Sequence, residues 1–119
     1  MDKITFCIPS KDNLRYLKSC IPSIRNNAFR NDHDIIVFVD QDNDGTVKWL
    51  EEVNKEYNLS YIINPKLNEE RFGIGKAYDE CIKAATTDIV MVFHADMMLG
   101  KNADKGLYIY QTKNHLLYL

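Results

Sequence analysis

Two short polar stretches carry the residues best suited to chemistry, and each directly follows an apolar run. The stretch from Asp40 to Thr46 holds three carboxylates, and the triplet His94-Ala95-Asp96 follows Val90-Met91-Val92-Phe93. A carboxylate at Asp40 can accept an N–H group, such as the imide N–H of uracil or the N–H groups of guanine. A carboxylate oxygen at Asp96 suits a hard cation such as Mn²⁺ or Mg²⁺, which can bridge diphosphate oxygens. The two stretches therefore indicate a site for a nucleotide diphosphate.

Both stretches also have structural explanations. Asp40 could cap or solvate a turn, and Asp96 could be the N-cap of a following helix, while Asp44 or Thr46 could cap the helix after the first stretch. The spacing D-x-D-x-D-G also matches an EF-hand calcium loop, with Glu51 at its twelfth position. However, the β-branched and aromatic run before Asp40 predicts a strand where an EF-hand needs a helix, which argues against a calcium loop.

The elements that must position these residues follow from the apolar pattern. Short runs rich in Ile, Val and Phe predict strands at Ile4–Ile8, Ile35–Val39, Ser60–Ile63 and Ile89–Phe93. The second and fourth runs are nearly continuous in apolar character, as strands buried on both faces are. Apolar residues at steps of three and four between the runs predict helices. The order βαβαβαβ indicates a doubly wound α/β fold, with a mostly parallel sheet and helices on both faces.

In such a sheet ligands bind at the carboxyl ends of the strands. Pro9 and Ser10 follow the first predicted strand in a turn that contains no glycine. The turn therefore lacks the G-x-G-x-x-G of dinucleotide-binding folds, and it also disfavours a nucleotidyltransferase. Gly73 and Gly75 precede the third predicted helix, where they either form a tight turn or let the backbone approach a ligand closely.

The composition limits the function classes. With 119 residues and 45% hydrophobic content, the chain predicts one globular domain. A net charge of -2 gives no general attraction to nucleic acid. Any phosphate must therefore be held locally, by a metal cation or by a few cations such as Lys11 and Arg71, which could equally be solvated surface charges.

The cysteines, the N-terminus and the lengths of the apolar runs give an expectation about the cellular location of the protein. Cys7, Cys20 and Cys81 are odd in number and far apart, which predicts reduced core thiols rather than disulfides. The N-terminus lacks a signal-peptide pattern, and no run approaches the ~18 apolar residues of a membrane helix. A cytoplasmic protein is the resulting expectation.

Four motifs in register resemble glycosyltransferase family 2. They are Ile8-Pro9-Ser10, the run Asp34 to Thr46, the segment Gly73 to Ala85, and Phe93-His94-Ala95-Asp96, and together they extend over residues 4 to 99. Members of this family have a GT-A fold and transfer sugars from nucleotide diphosphates. The resemblance implies metal-assisted transfer from a nucleotide sugar, with a UDP-sugar as the expected donor, to an acceptor that the sequence does not identify.

The resemblance also assigns roles to positions. Pro9 and Ser10 would line the nucleoside pocket, and Asp40 would bind the base. Asp96 matches the last Asp of the Asp-X-Asp motif, which contacts the metal, whereas His94 stands where the first Asp is expected. The predicted metal ligands are Asp96 and His94. The predicted donor-binding residues are Pro9, Ser10, Asp40, Arg71, Gly73, Gly75, His94, Ala95 and Asp96.

The acceptor half of the family and its carboxylate general base are not expected in this chain, so no catalytic residue is assigned. Residues 1–119 are predicted to form a single nucleotide-sugar-binding domain that is truncated relative to a full enzyme, with 1–99 matching the family and 100–119 as an unassigned tail. Gly106–Tyr110 and His115–Leu119 predict two short strands of a hairpin, through which chains could pair into a homo-oligomer. The alternative function is a non-catalytic nucleotide-sugar-binding or assembly module.

Overall fold

Strands and helices alternate along the part of the chain that the computed structural model describes, which is residues 2–107 and 116–118. The elements are β1 Ile4–Lys11, α1 Leu14–Asn27, β2 Asp34–Gln41, α2 Thr46–Val53, β3 Ser60–Ile63, α3 Ile74–Ala84, β4 Ile89–Val92, α4 Ala103–Leu107 and β5 Leu116–Tyr118. The predicted order of strands and helices is confirmed. None of the described helices has the length and apolar character that crossing a membrane requires.

The five described strands form one sheet in the order β3-β2-β1-β4-β5, and every pair of neighbours is parallel. The chain runs outward from β1 through β2 to β3, and then returns to the other side of β1 to form β4. This arrangement confirms the predicted doubly wound α/β fold. The order reverses between β1 and β4, and such a switch point leaves a crevice at the carboxyl ends of the strands.

The alternation of side chains along the central strands builds two cores. Even-numbered residues of β1, such as Phe6 and Ile8, pack with the buried face of α1 and with Leu50 of α2. Cys7, from the opposite face of the same strand, packs with Ala77 and Cys81 of α3. Because successive strand residues point to opposite faces, a nearly continuous apolar run supplies both cores at once.

Strands β1 and β2 extend further than their apolar patterns predict. Pro9 and Ser10 were expected in a turn, but they lie within β1 and pair with Phe38 and Val39. Proline lacks an N–H and disrupts most central strands. The carbonyl of Cys7 accepts the N–H of Phe93, so strand alternation places Pro9 on that same side, beyond the end of β4. The missing N–H therefore costs no ladder hydrogen bond.

The predicted hairpin in the C-terminal tail is wrong in the part that can be compared. Gly106 and Leu107 belong to α4 rather than to a strand. The second predicted strand is confirmed over Leu116–Tyr118, but it pairs parallel with β4, whereas a hairpin needs an antiparallel pair. Residues 108–115 and 119, with the predicted turn, lie outside the described residues.

A buried hydrogen-bond network ties α4 to the loop between α1 and β2. The Asp104 carboxylate accepts the N–H groups of Phe29 at 2.7 Å and Arg30 at 3.0 Å, and it lies 2.9 Å from Nε2 of His33. Nδ1 of His33 accepts the N–H of Ile4 at 2.9 Å. Because Nδ1 acts as an acceptor, the ring carries its proton on Nε2 and donates it to Asp104. His33 is therefore neutral, and Asp104 has a structural role.

The electrostatics of this pair follow from its burial. Burial lowers the pKa of His33 below its ordinary 6.5, although the bond to Asp104 opposes the change. Burial raises the pKa of Asp104, but the N–H groups of Arg30 and Phe29 and the ring of His33 outweigh burial, so this pKa lies below its ordinary 3.8. The lowered pKa of His33 destabilises the fold as the pH falls below the ordinary histidine value, because the unfolded chain then binds a proton that the folded ring resists. The lowered pKa of Asp104 stabilises the fold above the ordinary aspartate value, and this contribution is lost at lower pH.

The depressed pKa of His33 predicts a stability that falls as the pH decreases below about 6.5, because the unfolded chain then binds a proton that the folded chain resists. We expect the free energy of unfolding, measured in urea, to decrease as the pH is lowered from about 7.5 to about 5.5. His33→Gln should be less stable at the higher pH, by about 1–3 kcal/mol, and should lose this pH dependence. His94→Gln, which changes an exposed ring, should keep it. An unchanged pH dependence in His33→Gln would contradict this account.

Candidate functional site

A cavity of about 200 Å³ opens where β1, β2 and β4 end, beside the reversal of strand order. Of the predicted donor-binding residues, seven line this cavity: Pro9, Ser10, Asp40, Arg71, His94, Ala95 and Asp96. Gly73 and Gly75 do not line it. The residues come from positions 9 to 96 of the chain, so it is the parallel sheet that brings them together.

Ser10 supplies a buried hydroxyl group on the wall of the cavity. The residue is 1% exposed, and Oγ has no hydrogen-bond partner among the described residues. A buried hydroxyl that lacks a partner costs about 1–3 kcal/mol. Such groups are uncommon in folded proteins and call for an explanation. A ligand that hydrogen-bonds to Oγ would supply one.

Asp40 uses its carboxylate to organise the loop between β3 and α3. Oδ1 accepts the N–H of Phe72 at 2.7 Å and the side-chain amide of Asn64 at 3.0 Å, and Oδ2 accepts the N–H of Gly73 at 2.9 Å. The exposed Arg71 places its Nε 3.8 Å from Oδ2. Asp40 thus caps a turn, as one of its two sequence interpretations proposed, and it does so while lining the cavity.

Gly73 and Gly75 differ in whether the fold requires glycine at their positions. Gly73 precedes α3 with φ of 84°, a left-handed conformation that favours glycine, and its N–H reaches Asp40. Gly75 lies in the first turn of α3, and a Cβ there would meet no atom within 4 Å. The tight-turn interpretation is therefore confirmed for Gly73. At Gly75 the space is open, and the fold itself does not require glycine.

The triplet after β4 places three different groups at the cavity. Ala95 is buried, whereas the side chains of His94 and Asp96 are exposed. Nδ1 of the His94 ring lies 3.1 Å from the hydroxyl of Tyr78.

The Cys20 thiol is affected by the same region. Burial, with the charge of Asp96 as a second cause, raises the pKa of this thiol to about 12. Cys20, like the other two cysteines, is a buried free thiol, as predicted.

A second group of carboxylates lies outside the cavity. Oxygen atoms of Asp12, Asp42 and Asp44 lie within 4.8 Å of one another. Asp42 accepts N–H groups of the first turn of α2, at Thr46 and Val47, so the predicted capping by Asp44 or Thr46 falls largely to Asp42. Asp44 accepts the N–H of Thr46 as well, and its other oxygen accepts that of Leu14 at the start of α1.

The capping bonds explain this acidic cluster, because unpaired N–H groups at helix N-termini attract carboxylates. Asp12 completes the arrangement by accepting the N–H and the side-chain amide of Asn43. A strand, β2, precedes Asp42, as the sequence predicts, and an EF-hand would need a helix there. The cluster therefore joins the starts of two helices.

Sequence reasoning missed part of the cavity wall. Asn13, Ile74 and Ala77 line it together with Lys11, which had been considered only as a phosphate partner. Asn13 follows the end of β1, so its position at a strand end was a usable signal. Ile74 and Ala77 lie on α3, and their apolar character indicated only a helix face. Ile74 is nonetheless 53% exposed at the cavity, a surface that a ligand could cover.

Comparisons with known proteins connect this geometry to a family. The model of the family described as "Glycosyl transferase family 2" matches residues 5–116. Among curated proteins, abequosyltransferase RfbV of Salmonella typhimurium is 26% identical over 117 residues, which cover 98% of this chain and 34% of that protein. The chain thus spans about a third of the length of this relative.

Solved structures of S. aureus TarS share the fold. The crystal structure of TarS 1-349 superimposes with a TM-score of 0.77 at 19% identity, covering 91% of this chain and 32% of that one. Structures of TarS 1-349 in complex with UDP and with UDP-GlcNAc match with the same TM-score, at 20% and 19% identity, covering 91% of this chain and 31% and 30% of theirs. At these identities the similarity shows the fold alone.

The unpaired hydroxyl of Ser10 predicts an unusual mutational result. Ser10→Ala removes a group without a partner, so the free energy of unfolding should stay within about 0.5 kcal/mol of the wild type or increase. Ser23→Ala is the matched control, because Ser23 is also buried but donates to the carbonyl of Cys20 and accepts the N–H of Leu99. That variant should lose about 1–3 kcal/mol in urea unfolding. Equal losses in the two variants would show that Ser10 is hydrogen-bonded within the fold.

Proposed function

The chain belongs to glycosyl transferase family 2, and we propose that its cavity binds the nucleotide diphosphate of a sugar donor, UDP in the first instance. The position of the cavity at the carboxyl ends of β1, β2 and β4 carries this proposal. The buried hydroxyl of Ser10, which the fold leaves without a partner, lies in the cavity wall. Binding a ribose or base atom would satisfy it. The complexes of the TarS structures with UDP and UDP-GlcNAc support the choice of nucleotide.

A divalent cation fits this site through Asp96. The carboxylate is exposed at the cavity, and Mg²⁺ or Mn²⁺ in such sites takes one or two carboxylates together with substrate phosphates and water. When bound, the cation would neutralise the diphosphate charge as the sugar departs. The guanidinium of Arg71 and the amine of Lys11 add positive charge along the same wall, which suits an anionic donor.

Asp40 has limited capacity left for a base. A carboxylate offers about four lone-pair sites, and Oδ1 already accepts two hydrogen bonds, from Phe72 and Asn64. Oδ2 accepts one, from Gly73, with Arg71 further away. We therefore assign any contact between Asp40 and a base N–H to Oδ2. The open space over Gly75 would allow the backbone of α3 to approach the donor.

Membership of the family supports the further proposal that the sugar is transferred to an acceptor. The chain spans about a third of the length of its relatives, so the proposal for this chain concerns the donor side of that reaction. The donor-binding residues named above would bind only one of the two substrates, the sugar donor. The general base that would deprotonate an acceptor hydroxyl is not assigned to any residue of this chain. The reaction proposed is therefore glycosyl transfer with this domain as the donor-binding part.

Calorimetric titration of UDP in Mn²⁺ and in chelator tests the proposal. Asp96→Ala should weaken UDP binding at least tenfold in Mn²⁺ and leave binding in chelator unchanged, because the carboxylate acts through the cation. Ser10→Ala should weaken binding about three- to tenfold in both conditions, the value of one hydrogen bond. Asp79→Ala, which removes an exposed carboxylate of α3 away from the cavity wall, is the control and should bind as the wild type does. Normal Mn²⁺-dependent binding by Asp96→Ala would refute the metal assignment.

A second candidate function, an assembly module, has support from the sheet edge. Strand β5 pairs on one side only, with β4, and is thus at the edge of the described sheet. Unpaired backbone groups at an edge can pair with a second chain. We propose that the tail mediates a homo-oligomer, and light scattering after size exclusion should then show a mass of at least two chains. A monomer at micromolar concentration would contradict this proposal.

A further inference from the structure

Tyr78 of α3 contacts the ring of His94 in two ways. Its hydroxyl lies 3.1 Å from Nδ1 of His94. The two rings also meet edge to face, with centroids 6.1 Å apart and planes inclined by 67°. Tyr78 is half-buried, whereas His94 is exposed at the cavity. An exposed ring at the site is thus held by a better-packed residue from another element.

The direction of this hydrogen bond decides which ring nitrogen of His94 carries the proton. A phenol is a strong O–H donor, and the unprotonated nitrogen of a neutral imidazole is a stronger acceptor than a phenol oxygen. For a neutral ring this difference favours donation from the Tyr78 hydroxyl to Nδ1. The proton of the neutral ring then lies on Nε2, which becomes a hydrogen-bond donor and has no lone pair for a cation.

We propose that Tyr78 is a positioning residue that fixes His94 as an Nε2–H donor toward the diphosphate of the nucleotide sugar. This inference rests on the proposed function and changes one part of the sequence prediction, which made His94 a metal ligand with Asp96. Asp96 is then the one residue of the triplet that holds the cation. His94 instead contacts phosphate oxygen directly, where a carboxylate in its place could do so only through a metal.

The arrangement has a measurable consequence for metal dependence. A direct N–H donor to phosphate acts with or without a cation, so part of the affinity for UDP should persist in chelator. Removing His94 should lower the affinity by a similar factor in Mn²⁺ and in chelator. Removing Asp96 should lower it only in Mn²⁺. The two residues are thus distinguished by the ratio of the two affinities rather than by either affinity alone.

The first test reads the tautomer of His94 by ¹⁵N NMR of the ring nitrogens in the ligand-free chain, at a pH where the ring is neutral. The wild type should show a protonated Nε2 and an unprotonated Nδ1. Tyr78→Phe keeps the ring contact but removes the donor, so it should show a mixture of tautomers. Tyr61→Phe, a half-buried tyrosine of β3 at the sheet edge, should leave the signal unchanged. A wild-type ring protonated on Nδ1 would overturn the proposal.

The second test is a double-mutant cycle on UDP binding, measured in chelator and in Mn²⁺. Tyr78→Phe should weaken binding about two- to fivefold and His94→Ala about three- to tenfold, in both conditions. The double variant should bind no more weakly than His94→Ala, because Tyr78 acts only through the ring. Additive losses, or a loss confined to Mn²⁺, would overturn the assignment. If the wild type itself binds no UDP, the donor site fails and the role of His94 fails with it, while the NMR signal still decides whether Tyr78 fixes the ring.

Discussion

The reversal of strand order at β1 is the constraint on which the site depends. Strand β1 is flanked by β2 and β4, and the helices that follow β1 and β3 pack on opposite faces of the sheet. The connections diverge at the carboxyl edge, and they cannot fill the space above β1. Strand β1 continues to Lys11, but its pairing with β4 stops at Cys7. The last residues of β1 are therefore unpaired on the β4 side. The cavity follows from this difference in strand length, and proline is tolerated in a central strand for the same reason.

Five of the described aspartates differ in what their carboxylates contact. Asp42, Asp44 and Asp104 accept backbone N–H groups at helix starts and loops, where unpaired donors would otherwise be costly. Asp40 does the same for the loop that borders the cavity. Asp96 is different, because it is exposed and faces the cavity. The capping carboxylates hold the loops that border the cavity, whose wall includes Ser10, Asp40 and Asp96.

The fold could be predicted from the sequence because it depends on the apolar pattern. The runs around Ile36 and Met91 are continuous, as strands of a parallel sheet must be, and the helices between them are amphipathic. Residues at strand ends, such as Asp40 and Asp96, could be assigned to the crevice for the same reason. The pattern contained no signal for Asp42 rather than Asp44 as the main cap, since that choice depends on a turn geometry that side-chain spacing does not determine. Nor could it reveal the pair of His33 and Asp104, which are 71 positions apart and meet only through the docking of α4. The hairpin prediction failed because a short apolar run reads alike in a helix and in a strand.

The proposed site for a nucleotide diphosphate lies at the carboxyl edge of β1, β2 and β4. The most direct test is a map of backbone amide chemical shifts in the ¹⁵N-labelled chain during titration with UDP and Mg²⁺, which is diamagnetic. A donor site at this edge should give saturable changes concentrated at Ser10, in the loop that Asp40 holds, and at His94 to Asp96, with little change near His33 and Asp104. Shifts confined to the cluster of Asp12, Asp42 and Asp44, or no shifts at millimolar UDP, would contradict it.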